Sequence, residues 1–281
     1  MFTIQHSLNT ATQNLTTISD SPRLDAEVLL AFVLGKNRSY LRAWNDRVLD
    51  KQTISQFEAL ISQRQQGIPI AYLTGTREFW SRDFFVSSDV LIPRPDTEIL
   101  IEQCLEKIPQ DLPFQLLDLG TGSGIIAITL ACERPNAKII AVDASESALK
   151  MAQKNAVFHN CQNIEFILSD WFSNVPQQKF DLIVSNPPYI CENDEHLTQG
   201  DVSFEPKSAL VAAENGLRDI FDITKMARNY LISNGQLLFE HGYNQAKDVQ
   251  TILGKAGFVN VQTYHDLAAQ PRVTTGFLPS F

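Results

Sequence analysis

From residue 115 onward, apolar runs of strand length alternate with helix-length runs, and that alternation restricts the fold more than any other feature of the chain. "QLLDL" reads as a strand, "GIIAITLACER" as a helix, "AKIIAVD" as a strand and "SESALKMAQKNAVFHN" as a helix. "IEFILS" and "FDLIVS" are two further strands, followed by the helix "GLRDIFDITKMARNYL" and the strand "GQLLFEHG". "GFVNVQTYHD" and "RVTTGFLP" are expected as paired edge strands. Strands buried on both faces read as continuous apolar runs, and the helices between them cover those faces. The expected class is therefore α/β: a mostly parallel, Rossmann-like sheet with helices on both sides. Ligands in such sheets bind outside the carboxyl ends of the strands, so the residues that follow each strand carry the search for chemistry.

Ahead of this body, residues 1–75 carry no strand pattern. "SPRLDAEVLLAFVLG" offers Ser21 as N-cap, Pro22 at the first helical position and Gly35 as the stop. "DKQTISQFEALISQRQQG" repeats the form, with Ile54, Phe57, Leu60 and Ile61 on one face and Gly67 closing it. A small helical domain over 1–75 is expected. Residues 76–92 hold two aromatic runs flanking Ser81–Asp83, which predicts a β-hairpin linker whose rings pack between domains. The proline-punctuated "IPRP" and a helix from about Asp96 or Thr97 to Lys107 then open the third region, 93–281.

At the end of the first strand of that region stands "LLDLGTGSGIIAI". Gly120, Gly122 and Gly124 predict a tight strand-to-helix turn that lets a ligand approach the backbone of Thr121 and Ser123 closely. A dinucleotide fingerprint would place its last glycine at 125, where the chain has Ile125. Asp118 ahead of the turn repels a pyrophosphate and suits a ligand with a cationic amino-acid end. The second strand closes on Asp143, which can accept both hydroxyls of a ribose. The third closes on "SDWF", where Asp170 can accept from an adenine amino group and Trp171 can cover a base. A nucleoside without phosphates that bears a charged amino-acid tail is S-adenosylmethionine, and no metal is expected beside it.

The fourth strand runs into "SNPPYIC". Two adjacent prolines fix φ and offer no N–H, so the chain beyond Ser185 is stiff and extended. The Asn186 side-chain oxygen and the Pro187 carbonyl can both accept from one –NH₂ group, while Tyr189 can stack on the planar group that bears it. Pro188 completes the stiff frame, and Asn186 also borders the cofactor crevice. Such a clamp serves N-methylation, because a delocalised nitrogen becomes a better nucleophile when acceptors hold its hydrogens.

Charge separates the acceptors that carry such a group. Residues 1–75 hold seven Lys/Arg and six Asp/Glu, a net +1; residues 76–281 hold 16 and 26, a net −10. The acidic segment "CENDEHLTQGDVSFE" after the clamp has no Lys or Arg. Binding to a phosphate backbone rests on clustered basic residues, so a protein acceptor is expected over nucleic acid. The alternative is an adenine-N6 methyltransferase acting on nucleic acid, which would use the same clamp on a base. A catalytically silent cofactor-binding module fits poorly with an intact clamp. Cys104, Cys132, Cys161 and Cys191 form no CxxC pair, and with no apolar run of membrane length or secretory signal a cytoplasmic monomer is expected.

"LIPRPDTE", "DLGTGSG", "AVDAS", "SDWF", "IVSNPPYI", "FEPKSALVAAENG" and "DLAAQPRVT" together resemble the bacterial release factor glutamine methyltransferases. The resemblance spans about residues 20–275, in the family's motif order. It implies a class I S-adenosylmethionine-dependent methyltransferase acting on N5 of the glutamine in the GGQ loop of class I peptide release factors. It implies that Asn186 and the Pro187 carbonyl hold the glutamine amide, with Tyr189 on its plane. Gly120 to Gly124, Asp143 and Trp171 are then expected around the cofactor. The helical N-terminal domain is expected to help recognise the release factor. Arg94 and Glu205 are motif positions to which residue chemistry alone assigns no catalytic role, Glu205 being equally suited to pin its loop.

Overall fold

The computed structural model describes residues 2–280. Helices α1 (Ile4–Leu15), α2 (Pro22–Leu34), α3 (Arg38–Ala43), α4 (Lys51–Gln65) and α5 (Ile70–Thr74) form one compact unit, which also includes the 3₁₀ turns Glu195–Thr198 and Gly200–Phe204. Pro22 opens α2, and Gly35 ends it in the left-handed conformation. Asp50 caps α4 by accepting from the Thr53 amide at 2.8 Å. Leu8, Leu15, Leu29, Leu30, Phe57 and Ile61 form the core of this unit. A buried ion pair crosses it: Arg64 Nε donates to Asp25 at 2.9 Å, and Arg64 Nη1 donates to Asp201 at 3.0 Å. The side chains of Asp25 and Arg64 are each only 10% exposed, so removing either would leave the other as an uncompensated buried charge.

The second unit begins with the hairpin β1 (Thr76–Phe79) and β2 (Arg82–Phe85). Its turn is Trp80–Ser81, with φ of 52° and 57°, one residue ahead of the expected position. Both central residues need positive φ for the strands to keep their twist, which explains why the tighter turn wins. Helix α6 (Thr97–Lys107) leads into β3 (Phe114–Leu119), α7 (Ile125–Glu133), β4 (Ala137–Asp143), α8 (Glu146–Phe158), β5 (Ile164–Leu168) and β6 (Phe180–Ser185). After a small parallel pair, β7 (Ile190–Cys191) with β8 (Val211–Ala212), come the short turn α9 (Ala213–Gly216) and α10 (Arg218–Ala227). The unit ends with β9 (Leu231–Glu240), α11 (Ala246–Lys255), β10 (Val259–His265) and β11 (Pro271–Phe277).

Seven strands form one sheet in the order β10-β11-β9-β6-β3-β4-β5. Its one antiparallel strand is β11, which pairs with β9 on one side and β10 on the other. Of the two strands expected at the edge, only β10 is there; β11 is interior, consistent with its buried run Val273–Thr275. Alternate strand residues divide between two cores. Leu116, Ile139, Leu182 and Leu238 pack with Leu100 and Ile101 of α6 and Ile128 and Leu130 of α7. Leu117, Ile140, Ile183 and Phe239 pack with Ile220 and Ile223 of α10 and Val249 and Leu253 of α11.

From β3 the chain winds to β4 and β5, then returns to β6 on the other side of β3. The connections therefore diverge between β3 and β6, the topological switch point where such sheets open a crevice at their carboxyl ends. The glycine turn follows β3 and the "NPPY" turn follows β6. Fold topology alone brings the two motifs together.

Candidate functional site

A cavity of about 410 Å³ lies at this switch point, entirely within the second unit. Gly120, Thr121, Gly122 and Ser123 line it, with Asp143, Asp170, Trp171, Asn186 and Pro188. The glycine turn is held from three sides. The Gly122 amide donates to Asp143 Oδ2 at 2.8 Å, tying the turn to the end of β4. The Thr121 hydroxyl donates to Asp118 Oδ2 at 2.7 Å. Asn155 of α8 donates to the Ser123 carbonyl at 2.8 Å while accepting from the Phe85 amide at 2.7 Å. Gly122 has φ +56° and open space where a Cβ would project, so the backbone is bare toward the cavity.

Two residues of this cluster stand behind the wall. Asp118 is fully buried and does not line the cavity; its carboxylate braces the turn through Thr121. Gly124 has φ +85°, and a Cβ there would meet Ile128 Cδ1 at 2.7 Å and Ala152 Cβ at 3.1 Å. Its absence of a side chain lets α7 and α8 approach. Trp171 is in the left-handed region (φ 45°), with its ring against Gly120.

On the opposite wall, Asn186 Nδ2 donates to Thr97 Oγ1 at 3.4 Å. Pro187 is buried, and Tyr189, half-buried and off the cavity wall, donates from its hydroxyl to Glu240 Oε1 at 3.3 Å. The Tyr189 carbonyl accepts from Gln245 Nε2 at 2.9 Å, and Gly216 packs directly beneath it. Arg94 forms an ion pair with Glu205, whose Oε2 also accepts from the Ile92 amide at 3.2 Å. Glu205 thus pins its loop, and Pro206, Ser208 and Ala209 of that loop line the cavity.

The electrostatics of the wall are lopsided. Its charged members are Asp89, Asp143, Asp170 and Asp219 against a single guanidinium, Arg94, which is already paired. Burial pushes the Asp118 carboxyl up to about 7, with the negative Asp143 adding to the rise and the Thr121 hydroxyl opposing it. Burial likewise raises Asp143, opposed by the amides of Ser145 and Gly122. Burial raises Asp219 too, opposed by the Trp171 indole N–H beside it. A polyphosphate would meet repulsion here. A nucleoside with a cationic tail relieves these carboxylates, and the bare glycine turn beside Asp143 gives it room: the residues fit S-adenosylmethionine.

Asp219, Thr97 and Asn155 were not singled out by motif reading. Each acts through a partner distant in sequence, and none carries a spacing that marks it.

Comparison with known proteins matches residues 6–75 to a family model described as the PrmC N-terminal domain, and residues 95–204 to the methyltransferase small domain. The release factor glutamine methyltransferase of Escherichia coli (strain K12) is 49% identical over 272 residues, 97% of this chain and 98% of that one. The chain belongs to the release factor glutamine methyltransferase family. Another member, from Vibrio cholerae serotype O1, is 50% identical over 276 residues, covering 98% of this chain and 96% of its own. At the level of fold, a methyltransferase structure from Pyrococcus furiosus superposes with a TM-score of 0.55 at 16% identity, covering 80% of this chain and all of that one. Family membership makes the chain a methyltransferase, and the cavity at the switch point is its candidate site. Among the described residues no helix is long and apolar enough to cross a membrane.

Proposed function

We propose that the chain transfers a methyl group from S-adenosylmethionine to N5 of the glutamine side chain in the GGQ loop of class I peptide release factors. One observation carries this reading: the glycine turn and Asn186 share a cavity whose unpaired charges are all carboxylates. The cofactor, when bound, supplies a methyl group made electrophilic by a sulfonium. Gly120 to Ser123 approach its amino-acid end, Asp143 accepts from its ribose hydroxyls, and Asp170 and Trp171 hold and cover its base. Asp118 and Gly124 serve from behind, bracing the turn and closing the helix contact.

Asn186 Oδ1 and the Pro187 carbonyl accept the two hydrogens of the glutamine –NH₂. Pro188 keeps the two acceptors stiff, and Tyr189, held at its hydroxyl by Glu240 off the cavity wall, braces the clamp from behind. An amide nitrogen is a weak nucleophile because its lone pair is delocalised. Fixed acceptors on its hydrogens favour a more tetrahedral nitrogen and direct its density toward the methyl group. The nitrogen releases its proton after transfer, so no strong base is needed in the transfer step.

An adenine amino group would present the same –NH₂ to Asn186, and the acceptor therefore decides the reading. Labelled methyl transfer should be run side by side into a purified release factor, duplex and single-stranded DNA, and RNA. Label is expected in the release factor alone. Label in adenine would overturn the assignment.

A further inference from the structure

Four side chains meet at the Asn186 wall: Asn186 and Thr97, the first residue of α6, line the cavity, while Tyr189 and Glu240, the last residue of β9, stand behind them. Glu240 and Thr97 are each 1% exposed. Glu240 is level with the clamp because its neighbour Phe239 pairs with Ser185 across β9 and β6. Asn186 Nδ2 reaches Thr97 Oγ1 at 3.4 Å, and the Tyr189 hydroxyl reaches Glu240 Oε1 at 3.3 Å. The Thr97 hydroxyl lies beside the Glu240 carboxyl, whose other oxygen, Oε2, is buried without a hydrogen-bond partner.

The donors and acceptors give this cluster a direction. An ionised carboxylate only accepts, so the unpartnered Glu240 oxygen draws the single proton of the Thr97 hydroxyl beside it. Thr97 Oγ1 is then left as an acceptor toward Asn186, and only Nδ2 of the Asn186 amide can donate to it. The amide nitrogen is turned inward, and Oδ1 is left for the cavity. We propose that Glu240, acting through Thr97 and Tyr189, is the positioning residue that fixes which end of the Asn186 amide faces the substrate. The inference rests on the methyl-transfer reading for its consequence, since only a cavity-facing oxygen can accept from an –NH₂ group. The direction of the hydrogen-bond chain does not depend on that reading.

The charged groups around Glu240 are Arg272 of β11, which favours the carboxylate, and Asp96 before α6, which opposes it. His241, next on β9, is held below its usual pKa by burial. Burial of Glu240 itself, the largest influence, raises it to about 7. Once protonated, Glu240 can donate, and Thr97 is released from its fixed direction. Turnover should therefore fall on the acid side of neutrality.

The test uses the full chain, with an intact release factor as methyl acceptor. Thr97→Val is expected to lower kcat by roughly 10- to 100-fold, as when a catalytic group is misoriented. Cofactor KM should stay within about twofold, and Thr97→Ser, which keeps the hydroxyl, should restore turnover. Glu240→Gln is expected to lower kcat similarly and to remove the acid limb from its pH profile. Wild-type kcat in Thr97→Val would overturn the proposal, as would equal losses in Thr97→Val and Thr97→Ser. A second measurement is independent of turnover: exchange of the Asn186 side-chain amide protons in ¹⁵N-asparagine-labelled protein, assigned by their loss in Asn186→Asp. Thr97→Val should speed that exchange, and unchanged exchange would refute the chain of donors even if the wild-type protein proved inactive on glutamine.

Discussion

Gly216→Ala tests the support beneath the clamp, a role that no residue of the clamp itself reveals. Gly216 has φ +81°, and a Cβ on its backbone would lie 2.0 Å from the Tyr189 carbonyl oxygen and 2.6 Å from its carbon. Real Cβ contacts essentially never fall below 3.0 Å, so 3.0 − 2.0 = 1.0 Å is the least displacement that one of the two backbones must absorb. Gln245 Nε2 bridges the Tyr189 and Asn215 carbonyls at 2.9 Å and 3.1 Å, and the same displacement breaks that bridge. The left-handed conformation costs alanine roughly 1–2 kcal/mol. Two lost hydrogen bonds add about 1 kcal/mol each, for a total of about 3–4 kcal/mol. A melting temperature lower by roughly 6–16 °C is expected for a unit of this size. Because the motion passes through Tyr189 to Asn186, kcat on the release factor should fall about 100-fold, the loss a 1 Å misplacement can produce. Cofactor binding, measured by titration calorimetry, should change little, since the glycine turn lies across the cavity. Gly254→Ala is the control. That glycine is within α11 with nothing near its missing Cβ, so alanine should stabilise the helix by up to about 1 kcal/mol. Wild-type kcat and melting temperature in Gly216→Ala would refute the reasoning.

Asn186→Ala should slow methyl transfer by roughly 10²–10³, as for loss of one preorganised polar partner, while cofactor affinity stays within a few-fold. Single-turnover kinetics with labelled cofactor separates the two quantities. Asp143→Ala should do the reverse, weakening cofactor affinity first, because it removes both a ribose acceptor and the partner of the Gly122 amide; unchanged affinity in calorimetry would contradict the assignment. Asp118 should leave a signature in the pH dependence of stability. Its folded pKa of about 7 lies above the ordinary 3.8, so its stabilising contribution is complete below 3.8 and is lost as pH rises through 7. By pH 8 the loss is on the order of 4 kcal/mol. Denaturant unfolding of the cofactor-free protein from pH 5 to 8 should show a shallower decline for Asp118→Asn than for wild type; equal slopes would show that the carboxyl is not perturbed.

Much of the site was legible because βα alternation fixes where strand ends fall. Once β3, β4, β5 and β6 were read from their apolar runs, Asp143, Asp170 and Asn186 followed as end-of-strand residues by position alone. The positive-φ glycines were legible for a similar reason: a turn from strand to helix that exposes its backbone needs residues without Cβ. Other features depend on pairing at a distance. Arg64 meets Asp201, 137 residues away in sequence, and no local pattern announces that contact. The interior place of β11 was missed because an antiparallel strand inserted last looks the same in sequence as an edge hairpin. Asp118 showed its charge in the sequence but not its depth. Glu240 stands in "FEHG", where nothing local distinguishes a strand-terminal carboxylate in solvent from one sealed behind the clamp.

Incorporation of labelled methyl from S-adenosylmethionine into a release factor and into its GGQ→GGA variant, compared under identical conditions, tests the central claim most directly. Label on the glutamine of the intact loop, located by peptide mass spectrometry, and none in the variant is the predicted result. Equal incorporation into both proteins would contradict it.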